Sequence, residues 1–333
     1  MSKKETHPID FVIIWVDGND PDWLKQYSLY KGEDGDQRST RFRDTETLKY
    51  WFRGVEKFAP WVNKVYFVTC GQRPEWLNTD NPKLVCVDHK DFIPEKYLPT
   101  FSSHCIEHNL HRIQGLSEHF VYFNDDMFLV QPVSQEDFFC DGLPCDAAIL
   151  NYEPMRTYPP FLVPYSNISV INRNFSKKQV IKKNASKMIS LKYHKFLFRS
   201  MQLMPGKWFP GFKIFHLPTS FLKSTFNEVW SKEGDVLDAT CMHKFRVLSD
   251  VNQWLIQEWQ YCTGSYYPRD INIGLRCSNE SKEDVNKTTE MIVNGKYKLI
   301  CANDDGIEDF DYFKERLIGA FEQILPEKSG FEV

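Results

Sequence analysis

No stretch of this chain is apolar for long enough to cross a bilayer. The opening residues, MSKKETHPID, stay polar until a strand begins, so no secretory leader is expected. Nine cysteines are scattered without a single Cys-x-x-Cys pair, which removes zinc-ribbon and thioredoxin-type spacings. An odd number of cysteines and no leader point to reduced thiols in a cytosol. Neither an internal repeat nor a low-complexity run is present. The most informative absence is one sign of charge. From Pro154 to Asn227 there is no Asp and no Glu. The same stretch carries Arg156, Arg173, Lys177, Lys178, Lys182, Lys183, Lys187, Lys192, Lys195, Arg199, Lys207, Lys213 and Lys223. So long a stretch without an acid implies an anionic partner: nucleic acid, an anionic membrane surface or a phosphorylated substrate. Any one of these lysines taken alone reads as solvated.

What is present is a packed globular chain. Its 333 residues are 42% hydrophobic and 15% aromatic, enough for one large α/β domain or two smaller ones. Residues 9–16, IDFVIIWV, form a near-continuous apolar run, the mark of a strand buried on both faces. The run stops at the turn signal Asp17-Gly18-Asn19-Asp20-Pro21. Asp44 is read as the N-cap of a helix whose Leu48, Trp51, Phe52, Val55 and Phe58 share one face. Strands follow at 62–69 and 83–87, and helix between strands marks a βαβ sheet. Residues 180–197 interleave apolar residues with lysines, as in one basic amphipathic helix. Residues 251–261 read as a buried helix, 298–302 as a late strand and 312–325 as an amphipathic helix.

The chemistry gathers around His119 to Leu129, HFVYFNDDMFL. Phe120–Phe123 reads as a buried strand ending in Asn124-Asp125-Asp126. Two adjacent carboxylates there are costly without a compensating partner. A divalent cation supplies one, since Mg²⁺ takes one or two carboxylates and completes its shell with water and phosphate. Strand carboxyl ends are also where open α/β sheets bind ligands. Taken alone, the pair is read more simply as a polar turn with Asp125 capping a helix. His104, His108 and His111 recur at helical spacing beside Glu107. They do not form His-Glu-x-x-His, and a structural or substrate-facing role is favoured over zinc. A second Asn-Asp-Asp string, 303–305, is too short to read as a duplication.

Four blocks resemble the Stealth family of sugar-phosphate transferases. The first runs from Ile9-Asp10 through Trp15-Val16-Asp17-Gly18-Asn19-Asp20-Pro21. The second joins Arg41-Phe42-Arg43-Asp44, Ala59-Pro60-Trp61-Val62, Val68-Thr69-Cys70-Gly71-Gln72, Trp76-Leu77-Asn78, Leu98-Pro99-Thr100-Phe101 and Glu107 through Asp126. The third centres on His216-Leu217-Pro218, and the fourth is Lys298 through Asp304 with the terminal Pro326 to Glu332. The sequence departs from the pattern at Cys70, where the family often has Asn, and in a lysine-rich insert around 176–199.

The resemblance implies an α/β fold: a mostly parallel sheet like that of GT-A or Rossmann-like nucleotide-sugar transferases, flanked by helices, with a basic helical insert. It implies one catalytic domain over 1–333. Residues 8–150 would be the nucleotide-sugar and metal half, 151–262 the basic acceptor side, and 263–333 would complete the core. The family's active-site aspartates match Asp125 and Asp126, which would hold Mg²⁺ or Mn²⁺. Its catalytic histidine matches His216, and an arginine in a His-Lys-x-Arg context matches Arg246. Asp17, Arg43, Asp44 and Asn124 fall at motif positions expected to bind substrate. The implied reaction moves a sugar-1-phosphate from a nucleotide diphosphate sugar, a UDP-sugar by expectation, to a glycan hydroxyl with loss of UMP. The implied partners are that donor, a lipid-linked oligosaccharide acceptor and a peripheral anionic membrane surface, with no nucleic acid. The implied location is the cytoplasm or the inner membrane face. Lys177, Lys178, Lys182, Lys183 and Lys187 are the expected membrane-facing cations. Two other readings stand beside this one. One is a GT-A-type glycosyltransferase releasing UDP, the other a silent polysaccharide- or membrane-binding module.

Overall fold

The computed structural model describes residues 7–32, 34–37, 42–152, 163–304 and 306–333. Its first strands are β1 (Ile9–Ile14), β2 (Val65–Thr69), β3 (Leu84–Asp88) and β4 (His119–Phe123). They lie parallel in the order β3-β2-β1-β4. Next in the chain are β5 (Met127–Leu129), β6 (Phe139–Cys140), β7 (Leu143–Asp146) and β8 (Thr219–Leu222). β8 pairs antiparallel with β4 and completes a five-stranded sheet. The last strands are β9 (Tyr267–Pro268), β10 (Gly274–Ser278) and β11 (Leu299–Asn303). β10, β11 and β5 form one small sheet, and β6, β7 and β9 another. This is an α/β fold with a mixed, mostly parallel central sheet.

The helices are α1 (Pro21–Tyr30), α2 (Leu48–Phe58), α3 (Ser103–Asn109), α4 (Val163–Asn174) and α5 (Lys177–Met188). They continue with α6 (Lys195–Gln202), α7 (Lys223–Met242), α8 (Gln253–Thr263), α9 (Lys282–Val293) and α10 (Phe310–Ile324). Among the described residues, no helix is long and apolar enough to cross a membrane. All nine cysteines are free.

The unbroken apolar run of β1 follows from burial on both faces. Phe11 and Ile13 enter one core with Val121 and Phe123 of β4 and with the apolar faces of α2 and α10. Val12 enters the opposite core with Phe120 and Tyr122, against α7 and α8. The period of two splits each strand between two cores. Asp10 is fully buried in β1 and is satisfied by Asn63 (2.8 Å) and by the Lys64 and Ser117 amides (3.1 and 2.7 Å).

Three local readings need correction. Asp44 does not cap a helix: α2 begins at Leu48 after Thr47, and Asp44 accepts from the Glu46 amide at 2.9 Å. Glu46 has φ 56°, so the chain turns left-handed between Asp44 and the helix. Asp125 caps no helix either, because β5 follows at once. The expected basic helix over 180–197 is two helices, α5 and α6, separated by a single 3₁₀ turn at Leu191–Tyr193.

Candidate active site

Parallel pairing places the carboxyl ends of β1, β2 and β4 on one edge of the sheet, the usual ligand edge of such folds. Asp17 follows β1 there and Gln72 follows β2. Gln72 locks the two loops together by accepting from the Asp17 amide (2.8 Å) and donating to its carbonyl (2.9 Å). Gly18 permits the next contact. A β-carbon on it would lie 2.2 Å from the Phe42 carbonyl oxygen, so only glycine lets this loop touch the segment carrying Arg43 and Asp44.

Asn124, Asp125 and Asp126 follow β4. Asp126 is gripped on one side only. Its Oδ2 accepts from Asn303 Nδ2 at 3.0 Å and from the Cys301 thiol at 3.3 Å, and lies 3.8 Å from His216 Nε2. Its Oδ1 is buried and has no hydrogen-bond partner. Burial works to raise this carboxyl. The contacts from His216, Cys301 and Asn303 outweigh it and hold the group below the usual carboxylate range. Burial keeps the Cys301 thiol well above its ordinary value, so it stays protonated and donates.

Asp125 reaches solvent but is crowded by protein. Lost hydration, then the charge of Asp126, with Asp44 and Asp304 adding, push its carboxyl up to about 7. Asp44 is itself raised by burial and, more weakly, by the charge of Asp17. Asp17, Asp44, Asp125, Asp126 and Asp304 therefore feel one another as a single acid cluster. Arg43 pairs with Asp304 at 2.8 Å and lies over the Phe310 ring at 4.5 Å.

These acids fit a hard divalent cation. Asp126 offers an unpaired buried oxygen, and a cation would relieve the crowding of negative charge that, after burial, pushes the Asp125 carboxyl up. Asp126, His216 and Cys301 also offer three donor atoms within 4.8 Å of one another. With the thiol protonated and Oδ2 engaged, Asp126 Oδ1 is the oxygen of this group left open to a cation.

His216 stands immediately before Leu217, Pro218 and β8, at φ 51°, in the left-handed region that non-glycine residues seldom occupy. Its ring meets Trp254 edge-on at 6.0 Å. Arg246 lies on the loop after α7, and Asp250 anchors that loop. Asp250 is fully buried and accepts from His243 (2.8 Å) and the Val247 amide (2.9 Å), with His104 at 3.3 Å. Arg246 Nη2 donates to Ser103, while its Nε is buried without a partner. Ser103 donates to Glu107 at 2.8 Å. The Tyr122 hydroxyl lies 3.2 Å from the same Glu107 oxygen and 2.6 Å from Asn124 Oδ1. A continuous polar chain thus runs from Arg246 to the residue beside Asp125.

The structure brings Asp17, Asp44, Asn124, Asp125, Asp126 and His216 to this edge, with Arg43 tied to Asp304 and Arg246 joined through the Ser103–Glu107–Tyr122 chain. Cys301, Asn303, Asp304, Ser103 and Asp250 were missed from sequence. One signal for the first three was on view: the repeated Asn-Asp-Asp string. β5 and β11 pair antiparallel with Met127 opposite Cys301, and the Ala302 amide donates to the Asp126 carbonyl at 2.8 Å. The string at 303–304 therefore meets the one at 124–126, while Asp305 lies outside the described residues. The three helix histidines do not converge. His104 meets Asp250, His108 meets the Val251 carbonyl at 3.0 Å, and His111 stacks on Phe226 at 5.7 Å.

Two family descriptions match this chain: "Stealth protein CR1, conserved region 1" over residues 7–35 and "Stealth protein CR2, conserved region 2" over 41–145. Capsular polysaccharide phosphotransferase WcwK of Streptococcus pneumoniae is 42% identical over 341 residues, covering 99% of either chain. The chain belongs to the Stealth family. Like these relatives, it is a phosphotransferase. Receptor polysaccharide phosphotransferase WefC of Streptococcus gordonii is 41% identical over 98% of this chain and 99% of its own. Exopolysaccharide phosphotransferase cps2G of Lactiplantibacillus plantarum is 41% identical over 97% and 96%. The apo glycosyltransferase GlyE of Streptococcus pneumoniae TIGR4 covers 96% of this Stealth chain and 62% of its own at 9% identity, with a TM-score of 0.41, too loose a likeness to bear on chemistry. The first Stealth region contains Asp17, and the second contains Arg43, Asp44, Asn124, Asp125 and Asp126.

Proposed function

We propose that this Stealth phosphotransferase moves a sugar-1-phosphate from a nucleotide diphosphate sugar, a UDP-sugar by expectation, to a glycan hydroxyl in capsular or exopolysaccharide synthesis. The observation that carries the reading is His216 standing 3.8 Å from an aspartate whose other oxygen is buried and unpaired. Base and anion-neutralising site meet at one point. In the reaction, His216 Nε2 takes the proton of the acceptor hydroxyl. The acceptor oxygen bonds to the phosphorus attached to the sugar, and the bond from that phosphorus to the bridging oxygen breaks. UMP leaves with the bridging oxygen, and a phosphodiester remains. The Asp126 carboxylate beside the ring stabilises the imidazolium as it forms. Arg246 presents its guanidinium to the non-bridging phosphoryl oxygens, held in place by Ser103 and by the Asp250-anchored loop. Asp125 and Asp126 would hold Mg²⁺ or Mn²⁺, which when bound would supply positive charge against the donor's phosphates. Asp17, Arg43, Asp44 and Asn124 line the donor side. The acceptor in this reading is a lipid-linked oligosaccharide at the cytoplasmic membrane face, and nucleic acid has no part.

The leaving nucleotide tests the reading. A panel of UDP-sugars with a soluble oligosaccharide acceptor should yield UMP, with turnover lost in excess EDTA and in Asp126→Asn. Release of UDP instead would make the protein a glycosyltransferase attacking the anomeric carbon. Full activity in EDTA would remove the cation from Asp125 and Asp126.

A further inference from the structure

The acid-free segment does not use its lysines as the sequence suggests. Lys177 is buried, and its ammonium donates to the Leu203 and Pro205 carbonyls at 2.6 and 3.1 Å. Lys187 is half-buried and donates to the Gly264 carbonyl at 2.6 Å. Val180 and Met188, the apolar side of α5, are core residues. Two of the five expected membrane cations are therefore structural, and α5 has no apolar face to offer a bilayer.

The next segment differs. Twelve large apolar side chains are exposed among the described residues, and five of them fall within 189–208: Ile189, Leu191, Phe198, Met201 and Trp208. Leu191 is 85% exposed, Phe198 70% and Trp208 57%. Phe198 and Met201 are three residues apart on α6, so they share its outer face. Lys192, Lys195, Arg199 and Lys207 interleave with them, and the segment contains no acid. Lys207 lies over the Trp208 ring at 4.6 Å. Asp270, an acid from a neighbouring element, is met by His194 at 3.0 Å.

The segment is also fixed in place. Tyr193 is buried and donates to the Lys187 carbonyl at 2.8 Å. The buried Ser200 hydroxyl accepts from the Leu150 amide at 3.0 Å. On the inner side of α6, Phe196 meets Phe215 edge-on at 6.1 Å, and Lys213 sits over both rings. Phe215 is the neighbour of His216. The apolar and basic surface is thus braced against the residue that precedes His216 in the chain.

We propose that residues 189–208 are the surface by which this protein docks on an anionic lipid bilayer. Exposed Leu, Phe, Met and Trp set among cations are what an interfacial segment requires: the apolar side chains enter the headgroup–acyl boundary, and the cations meet lipid phosphate. A nucleic acid would satisfy the cations and leave Leu191 and Phe198 in water. The proposal rests on the surface alone and stands whether UMP or UDP leaves the active site. A glycan tethered to such a bilayer would reach the His216 side of the protein.

Co-sedimentation of the full chain with vesicles tests this without any turnover. The protein should pellet with phosphatidylcholine vesicles containing one part in three phosphatidylglycerol and stay in solution with phosphatidylcholine alone. Raising salt should release it. The combined Leu191→Ser, Phe198→Ser, Trp208→Ser variant should bind at least tenfold more weakly, as should Lys195→Gln, Arg199→Gln, Lys207→Gln. Lys178→Gln, Lys182→Gln, Lys183→Gln on α5 should change binding much less. All these positions are exposed, so the variants should keep the wild-type melting temperature. Wild-type protein left in the supernatant would overturn the proposal and point the surface at another protein. Undiminished binding by the Leu191, Phe198 and Trp208 variant, or a larger loss from the α5 variant, would also overturn it.

Discussion

At the scale of single residues, His216 is the side chain whose backbone speaks for it. A non-glycine residue in the left-handed region costs roughly 1–2 kcal/mol, and here that cost turns an imidazole towards Asp126. Asn tolerates this conformation better than most residues. His216→Asn should therefore keep the wild-type melting temperature while kcat falls by about 10²–10⁴, the usual worth of a general base. Steady-state kinetics beside a thermal melt checks this, and near wild-type turnover would return His216 to a structural role. The histidine was legible because His-Leu-Pro is a recognisable string. Cys301 was not, because a cysteine in a late strand carries no sign of its use until a strand pairing sets it beside Asp126.

At the scale of elements, α3 shows how a sequence pattern can be right about part of a helix and uninformative about role. His104 and His108 lie on this helix and His111 on the 3₁₀ turn that follows, and each meets a different neighbour. His108 is fully buried, and burial pulls its ring down to about 4, against the smaller opposing pull of the Val251 carbonyl and Glu107. The unfolded ring takes its proton near 6.5. Between those values the unfolded chain binds a proton that the folded chain refuses, so stability is full above about 6.5 and falls as pH drops towards 4. At pH 5 the loss from this ring alone is about 2 kcal/mol. Urea midpoints at pH 7.5, 6 and 5 should show the wild type weakening faster than His108→Gln, and parallel curves would refute the assignment. The apolar stripes of α2 and α10 were readable because one face of each meets a core. The break between α5 and α6 was not, since apolar residues and lysines alternate across it without interruption. The fate of Lys177 was hidden for a related reason: a long stem can be buried while its ammonium finds carbonyls, and the one-letter pattern cannot show which.

At the scale of the whole molecule, the carboxyl end is clamped to α2 and to the loop between β2 and β3. Glu332 is 4% exposed, and its two oxygens accept from Arg53 Nε and Nη2, both at 2.8 Å. Phe331 packs on Phe52 at 5.2 Å, and Leu77 bridges to Glu332. Breaking a buried pair from one side strands the other charge. Arg53 would keep the Leu325 carbonyl at 2.9 Å and Glu322 at 3.7 Å, so Glu332→Ala should cost about 3 kcal/mol, the low end for such pairs. Chemical denaturation measures it, with turnover of the remaining folded protein unchanged; a loss under about 1 kcal/mol would show the pair to be solvent-screened. The parallel order of β1 to β4 could be argued from apolar runs and intervening helices. The closure of the site by β5 and β11 could not, because those strands are short and lie far apart in the chain. That closure has a consequence for how the protein is made. Asp126 and Cys301 are 175 positions apart, so a ribosome delivers the aspartate long before its partners. A nascent chain, or one cut short before residue 299, holds its carboxylates without the strand that orients them. Chains ending before residue 299 should therefore show no turnover, while the full chain is active.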